Sequence, residues 1–375
     1  MKKTLMDGNT AAAWGARLSR VKVVPNFPIT PQTQVIETLA AWKSNGEWNG
    51  EFLPMESEHS ALSAAIASEA SGARTFTASS SQGLLLMHEM LYVASGMRLP
   101  LVMVNCSRGL SSPITLWSDH NDILAMRDSG WLIFFAKNNQ EVLDSIIMAY
   151  KIAEDRNVLL PVLINLEGYI LSYTREQALI PSQSSVDRFL PHYNPKTILD
   201  PAKPMSLGVP AIDQDYMYFR SQVHKAQLNS IDIIKSVCKD FKKQFKRQYN
   251  LVEHYKTKDA KIIFVAAGSI CTSIQEAVNS LRREKIKAGL LRLRCLRPFP
   301  KKDIQILNGC ENIAVIDNNI SPGLSGILYP EICSAIENKN ISDFIISLGG
   351  KIIGRKEFEQ IAKISLRKKG KFWIF

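Results

Sequence analysis

Pro25-Asn26-Phe27-Pro28-Ile29-Thr30-Pro31-Gln32-Thr33 and Met55-Glu56-Ser57-Glu58-His59-Ser60-Ala61 decide how this chain is read. Each closes a short apolar run, Lys22–Phe27 and Phe52–Met55, and each leads into a stretch of helical character, Thr33–Ser44 and His59–Ser71. A strand, a polar turn and a helix, repeated in succession, are the unit of an open parallel sheet. The first turn is made rigid by its prolines and offers a free hydroxyl, Thr30. The second offers two carboxylates, Glu56 and Glu58, just before a helix of small residues.

The same alternation extends outward. Thr75–Ser79, Leu101–Asn105, Trp131–Ala136 and Pro161–Leu166 read as strands, with helices at Thr10–Ser19, Gln82–Ser95 and Gln140–Glu154. The run Leu99-Pro100-Leu101-Val102-Met103-Val104 suits a strand buried on both faces. Residues 181–215 change character: Pro181, Pro191, Pro195, Pro201, Pro204 and Pro210 exclude a long helix or a central strand there. A long helix follows over Tyr216–Tyr249, with Ile231, Ile234, Cys238, Phe241 and Phe245 on one face. A second α/β pattern begins near Lys261. Its strands are Ile262–Ala266, Leu290–Leu293, Ile313–Asp317 and Phe344–Ser347, its helix Thr272–Arg283, and its turns Gly268-Ser269 and Gly349-Gly350. The expected fold class is α/β with two doubly wound domains, at 1–180 and 259–375, joined by a Pro-rich connector and long helix at 181–258.

A chain of 375 residues is long enough for two such domains. Its apolar stretches are too short for a membrane span, and MKKTLMDGNT lacks the apolar segment of a secretion signal. The six cysteines are scattered without a Cys-x-x-Cys, which fits reduced thiols in a cytoplasmic protein and argues against a metal or iron–sulfur site in this chain. The net charge of +11 is unevenly placed: residues 1–190 carry 15 Lys and Arg against 18 Asp and Glu, the rest 31 against 17. The basic residues lie on helix faces (Lys235, Lys239, Lys242, Lys243, Lys246, Arg247) and in the tail, not interleaved with aromatics. They read as a solvated face or subunit contact, not a nucleic-acid surface.

Polar groups follow four successive strands: Thr30, Glu58, Ser79–Gln82 and Cys106–Arg108. Ligands of open parallel sheets sit outside the carboxyl ends of the strands, so these loops are expected to converge on a cleft. The plain alternative makes Ser79–Ser81 helix caps and Glu58 a first-turn residue favoured by the helix dipole. Other chemistries fit less well. Gly323-Leu324-Ser325-Gly326 is one residue short of a nucleophile elbow, and no phosphate-cradling G-x-x-x-x-G-K or G-x-G-x-x-G opens a helix. Asp119-His120-Asn121-Asp122 reads as metal ligands or, in preference, as a capping turn.

The ordered motifs GNTAAAWGA, FPITPQT, MESEHSA, TFTASSSQGLLLMHEM, VNCSRGLSSP and SDHND resemble the α subunits of pyruvate:ferredoxin oxidoreductases. LDPAKPMSLGV, LVEHY, AAGSICTS, LLRLRCLRPFP, LGG and KFW continue the likeness to the C-terminus. The resemblance implies that the first domain binds the aminopyrimidine of thiamine diphosphate and that the second is transketolase C-terminal-like. Glu58 matches the family's cofactor-activating glutamate, which bonds the pyrimidine N1′. Pro28 falls with Glu58 on the cofactor side, and Thr30 and Arg108 match the substrate-binding threonine and arginine. A guanidinium suits a carboxylate because it offers a planar fork of donors.

The same resemblance implies partners. A β subunit would supply the diphosphate and Mg²⁺ side of a shared site. The partners would be β, γ and δ subunits, with the iron–sulfur clusters in partner chains, pyruvate as substrate, coenzyme A as acyl acceptor and ferredoxin as electron acceptor. Asp7-Gly8-Asn9 lacks the first glycine of the Gly-Asp-Gly that marks a diphosphate site. Ser118 and Gly109 depart from the family's usual glycine and alanine. Two rivals remain: a subunit acting on branched-chain 2-oxoacids, and a non-catalytic scaffold with a basic partner-binding half.

Overall fold

The computed structural model describes residues 2–375. The first sheet is parallel in the order Leu132–Phe135, Val162–Glu167, Val102–Ser107, Phe76–Ser79. A parallel bridge between Val23 and Thr75 carries it on to Val23–Asn26 and Glu51–Pro54. The four central strands are buried at nearly every position, so both faces must be covered, as their continuous apolar runs require. On one face the helix Gly8–Leu18 packs against Asn139–Ala153. Ala11, Ala12, Ala13 and Ala16 are fully buried there, and a Cβ on Gly15 would stand 2.8 Å from Ile146. Small side chains let these two backbones approach closely.

The second sheet runs Lys371–Ile374, Ile341–Ile346, Asn312–Asp317, Ile262–Ala267, Ala288–Leu293, Val252–Tyr255. All but the last are parallel. With the transition from one parallel sheet to a second, the α/β class holds. The strands lie within a few residues of their expected bounds.

Several elements differ from expectation. The helix expected over Gln82–Ser95 is two, Ser81–Leu86 and His88–Gly96, parted at the fully buried Met87. Neither glycine nor proline marks the break. The prolines of the connector still leave room for a short helix, Gln183–Phe189. Lys2–Met6 pairs antiparallel with Glu176–Ile180 across the length of the first domain. The long helix spans Gln214–Phe245; of its expected face, Ile234, Cys238, Phe241 and Phe245 are buried and Ile231 packs at the margin.

Two devices fasten the halves together. Cys295–Arg297 leaves the second sheet and joins the first, antiparallel to Leu132–Phe135. Beside it the carboxylate of Glu141, in the first turn of Asn139–Ala153, receives Arg292 at 2.8 Å and Arg294 at 2.6 Å. Arg292 also meets Glu253 at 3.0 Å. Burial alone would raise the Glu141 carboxyl, but the two guanidinium charges hold it below its ordinary range. Removing either partner of such a buried pair leaves a stranded charge and costs roughly 3–5 kcal/mol.

Asp317 and Asp343 are both fully buried on adjacent strands. Asp317 accepts from the Leu328 and Tyr329 amides at 2.8 and 3.0 Å, starting the helix Leu328–Ala335, while Asp343 accepts from Gly326 N at 2.9 Å. Burial, and then the neighbouring charge of Asp343, push Asp317 up to about 8. Burial raises Asp343 as well. Because an unfolded aspartate titrates near ~3.9, the folded state holds the proton more tightly. Its contribution is full below that value and is lost as pH rises through about 8. Asp343→Asn removes the opposing charge. Its urea midpoint is therefore expected to fall less between pH 6 and 9 than that of the wild type; parallel declines would contradict the influence of Asp343 on Asp317.

Candidate active site

Glu58 opens the helix Glu58–Ala70, behind an N-cap in which Ser57 Oγ accepts from Ser60 N at 3.2 Å. Only 6% of Glu58 is exposed, and no described residue donates a hydrogen bond to its carboxylate. Gly83, in the next strand's helix, lies against it: a Cβ there would come within 2.4 Å of Glu58 Oε1. Glu56, the other carboxylate of the motif, is exposed and accepts from the Ser60 hydroxyl, which holds its carboxyl below the ordinary range. The two acids thus part company: Glu56 serves the helix start, and Glu58 is buried without a partner.

Arg108 follows the strand Val102–Ser107 directly and is 7% exposed. Its Nη1 donates to the Thr30 carbonyl at 2.8 Å and its Nη2 to Gln82 Oε1, while Nε has no partner. Burial lowers the guanidinium from its ordinary value, against the opposing charges of Asp122, Tyr169 and Glu58. The loops after four strands therefore converge: Thr30, Gln82 and Arg108 touch, and Gly83, next to Gln82, touches Glu58. The Thr30 group that meets Arg108 is the carbonyl, which leaves its hydroxyl unengaged by any described residue. Pro28 stands exposed in the same turn and takes no part in these contacts. Ser79 Oγ and Ser80 Oγ, at the end of the neighbouring strand, are buried and unpartnered.

Three further residues support this site, Asn9, Gln82 and Asp122, of which only Gln82 falls in a loop expected to converge here. Asn9 is fully buried; its Nδ2 donates to the Pro31 carbonyl at 2.8 Å, and its Oδ1 accepts from the Cys106 thiol at 3.2 Å. Asp7 caps the helix Gly8–Leu18 through Thr10 N at 2.8 Å. Asp7-Gly8-Asn9 thus supports the proline-rich turn. Gln82 holds the guanidinium. Asp122 accepts amides from two of the converging loops. Asn9 and Gln82 follow closely on the strands Lys2–Met6 and Phe76–Ser79, whereas Asp122 lies in the short helix Asn121–Ala125, away from any strand.

The segment 117–122 also closes onto the second sheet. His120 N donates to Asn318 O at 2.8 Å, Ile320 N to Asn121 Oδ1 at 2.9 Å, and Gly349 N to Asp119 Oδ2 at 3.2 Å. Glu167 Oε1 lies 2.9 Å from His120 Nε2 and accepts from Ser269 N at 2.9 Å. The positive φ of Gly268, +78°, and the 1.8 Å that a Cβ would leave to Glu167 both require glycine there. Asp119 and Asp122 are each committed to backbone amides, so this run is a turn that fastens loops, and the metal-ligand alternative has no support among the described residues.

A separate cleft of about 820 Å³, bordered by Glu69, Arg98, Glu154, Tyr193 and Val237, lies at the amino ends of the strands. Glu154 at its border is already paired with Arg74 at 2.6 and 2.8 Å. Cofactor and substrate chemistry belongs at the opposite, carboxyl edge of such a sheet.

An acid with no protein donor, near a held guanidinium at the carboxyl edge of a parallel sheet, is the arrangement of an α/β ligand-binding protein. Residues 14–239 match the family model described as pyruvate flavodoxin/ferredoxin oxidoreductase, thiamine diphosphate-binding, and residues 260–358 match pyruvate:ferredoxin oxidoreductase core domain II. The chain belongs to the pyruvate flavodoxin/ferredoxin oxidoreductase family.

Among curated relatives, it is 47% identical to pyruvate synthase subunit PorA of Methanocaldococcus jannaschii, over 93% of this chain and 91% of that one. It is 44% identical to pyruvate synthase subunit PorA of Methanothermobacter thermautotrophicus, over 96% and 94%. Ketoisovalerate oxidoreductase subunit VorA of Pyrococcus horikoshii is 43% identical, over 96% and 93%. The fold is shared with 2-oxoglutarate:ferredoxin oxidoreductase from Magnetococcus marinus at a TM-score of 0.79 and 19% identity, covering 97% of this chain and 65% of that one. A split-gene transketolase has a TM-score of 0.52 at 11% identity, covering 94% and 96%. The first domain is thus of the thiamine-diphosphate-binding type, and the two-domain architecture is transketolase-like.

Proposed function

We propose that this chain is the α subunit of a thiamine-diphosphate-dependent pyruvate:ferredoxin oxidoreductase, which decarboxylates pyruvate oxidatively to acetyl-CoA, reversibly, and passes the electrons to ferredoxin. The observation that carries this reading is Glu58, buried against Gly83 with no protein donor on its carboxylate. A carboxylate that no described residue satisfies is left to meet its hydrogen bonds with a ligand. The aminopyrimidine offers such a complement at N1′, so the residues present fit the group.

Bound there, thiamine diphosphate supplies the nucleophilic carbon and the ring system that takes up the electrons left by decarboxylation. Glu58 holds a proton at N1′ and so sets the tautomer of the pyrimidine, a general acid–base role. Arg108 presents the substrate-carboxylate clamp. Its contacts to Thr30 O and Gln82 fix the plane of the fork, and its Nε remains free to donate. The Thr30 hydroxyl is the second substrate donor, and Pro28 shapes the cofactor side of the turn.

Thiamine diphosphate is shared with a β subunit that brings the diphosphate and Mg²⁺ side; the partners are β, γ and δ subunits, and the iron–sulfur clusters lie in partner chains. Coenzyme A takes the acyl group. The complex is cytoplasmic; no helix of the described residues is long and apolar enough to cross a membrane. The VorA relative favours a second reading, a branched-chain 2-oxoacid as substrate. Rates of viologen reduction by the purified complex with pyruvate and with 2-ketoisovalerate separate the two. A preference for the branched acid would move the assignment to the second.

Arg108→Lys keeps the charge and loses the fork. The apparent KM for pyruvate is expected to rise by about tenfold, the scale of one charge-assisted hydrogen bond. Thiamine diphosphate retention should be unchanged. Unaltered pyruvate KM would place the carboxylate elsewhere.

A further inference from the structure

Asp122 has no part in the reading above, yet it is fully buried at the point where the functional loops meet. Its Oδ2 accepts three donors: Ser81 N at 3.0 Å, Asn105 Nδ2 at 3.1 Å and Arg108 N at 3.1 Å. Its Oδ1 accepts from Ile123 N at 2.6 Å. The Ser81 backbone is strained, with φ +50°, and the residues after it are Gln82, which holds the Arg108 guanidinium, and Gly83, which borders Glu58. One carboxylate oxygen thus ties the main chain at Arg108 to the main chain one residue before its side-chain partner. Asn105 extends the knot to the next strand through Asn165 Oδ1 at 2.8 Å.

We infer that ionised Asp122 is a positioning residue, which sets the distance between the carboxylate-binding arginine and the Gln82–Gly83 loop and so tunes the affinity for the 2-oxoacid. The inference rests on Arg108 being the substrate clamp. Three donors on one oxygen are best served by a full negative charge; a carboxyl group holding a proton is a poorer acceptor and needs an acceptor of its own.

The groups facing Asp122 are few. The strand Val102–Ser107 and its end bring Cys106 and Arg108, the preceding turn brings Asp119, and the helix Ser81–Leu86 brings no titratable side chain. Burial, with a smaller push from Asp119, raises Asp122 to about 6 against the pull of its three donors. The group is therefore ionised above about pH 6 and takes up its proton as pH falls below it.

The test uses the assembled complex, with pyruvate as the varied substrate and viologen reduction as the readout, from pH 5.5 to 8. Asp122→Asn keeps the shape and removes the charge. Its pyruvate KM is expected to rise about tenfold at pH 7.5, with kcat affected far less, because hydrogen bonds to a charged acceptor weaken while the chemical groups stay. The wild-type KM should climb as pH falls through the range where Asp122 protonates, and the variant's should stay nearly flat. A variant with wild-type KM and the same acid limb overturns the inference, as does an equal fall in kcat at constant KM. Should the variant fail to assemble, a wild-type pyruvate KM that is constant from pH 7.5 to 5.5 overturns it as well. Arg108→Lys separates the two levels. If Arg108→Lys leaves the KM unchanged, the underlying clamp assignment fails. If Arg108→Lys raises it and Asp122→Asn does not, only the positioning role fails.

Discussion

Glu58→Gln is expected to reduce the turnover of the assembled complex by at least ~10²-fold, the lower end for a general acid–base group. The amide keeps the size and the fit against Gly83, where a Cβ would already stand 2.4 Å from the side chain. What it loses is the acidic proton that sets the pyrimidine tautomer. Folding and assembly should survive: the helix start is held by the Ser57 cap, and no described hydrogen bond depends on the Glu58 carboxylate. Turnover with saturating pyruvate is the measurement. A variant with near-normal rates would transfer the role, and the exposed, Ser60-bonded Glu56 would be the remaining acid in the motif.

The purified chain alone is expected to show no pyruvate-dependent reduction of a viologen dye, and to bind thiamine diphosphate poorly even with Mg²⁺. Glu58 and its neighbours complete a pyrimidine, but the described residues contain no group of three or more His, Cys, Asp or Glu that could hold a metal ion. A diphosphate without a bound cation leaves its charge uncompensated, and a pyrimidine contact alone supports little affinity. All six cysteines are free, and five are buried. They are scattered, and none belongs to a group of three or more possible ligands among the described residues. Adding the β subunit should restore cofactor binding, measured by calorimetry, and adding the cluster-bearing chains should restore dye reduction. Tight Mg²⁺-dependent binding by this chain alone would refute a shared site.

The central strands could be read from sequence because they are buried on both faces and leave continuous apolar runs between polar turns. Short elements paired with distant partners could not. Lys2–Met6 has its partner beyond residue 175, and Cys295–Arg297 is three residues long and pairs outside its own sheet. The break at the buried Met87 has no glycine or proline to announce it. At the site, Thr30, Glu58 and Arg108 stood out as polar groups after strands. Asn9 and Asp122 carried no such mark, because they act through contacts 22 to 41 residues away; Gln82 lay in an expected loop, but its hold on Arg108 is a tertiary contact. That the Thr30 carbonyl engages Arg108 follows from the course of the proline-rich turn, which residue identity does not specify.

The strand Cys295–Arg297 covers the flank of Leu132–Phe135, although some 160 residues separate them in the chain. Division of the polypeptide by sequence and division by hydrogen bonding therefore fall in different places. A fragment cut at the end of the long helix would expose Leu132-Ile133-Phe134-Phe135 as a bare edge, with unpaired amides on an apolar four-residue run. Such an edge templates addition of further strands. The N-terminal half, though it carries the whole converging cluster, would be prone to self-association when expressed by itself, and a soluble truncation would have to carry residues 295–297 along or place a charge on that strand.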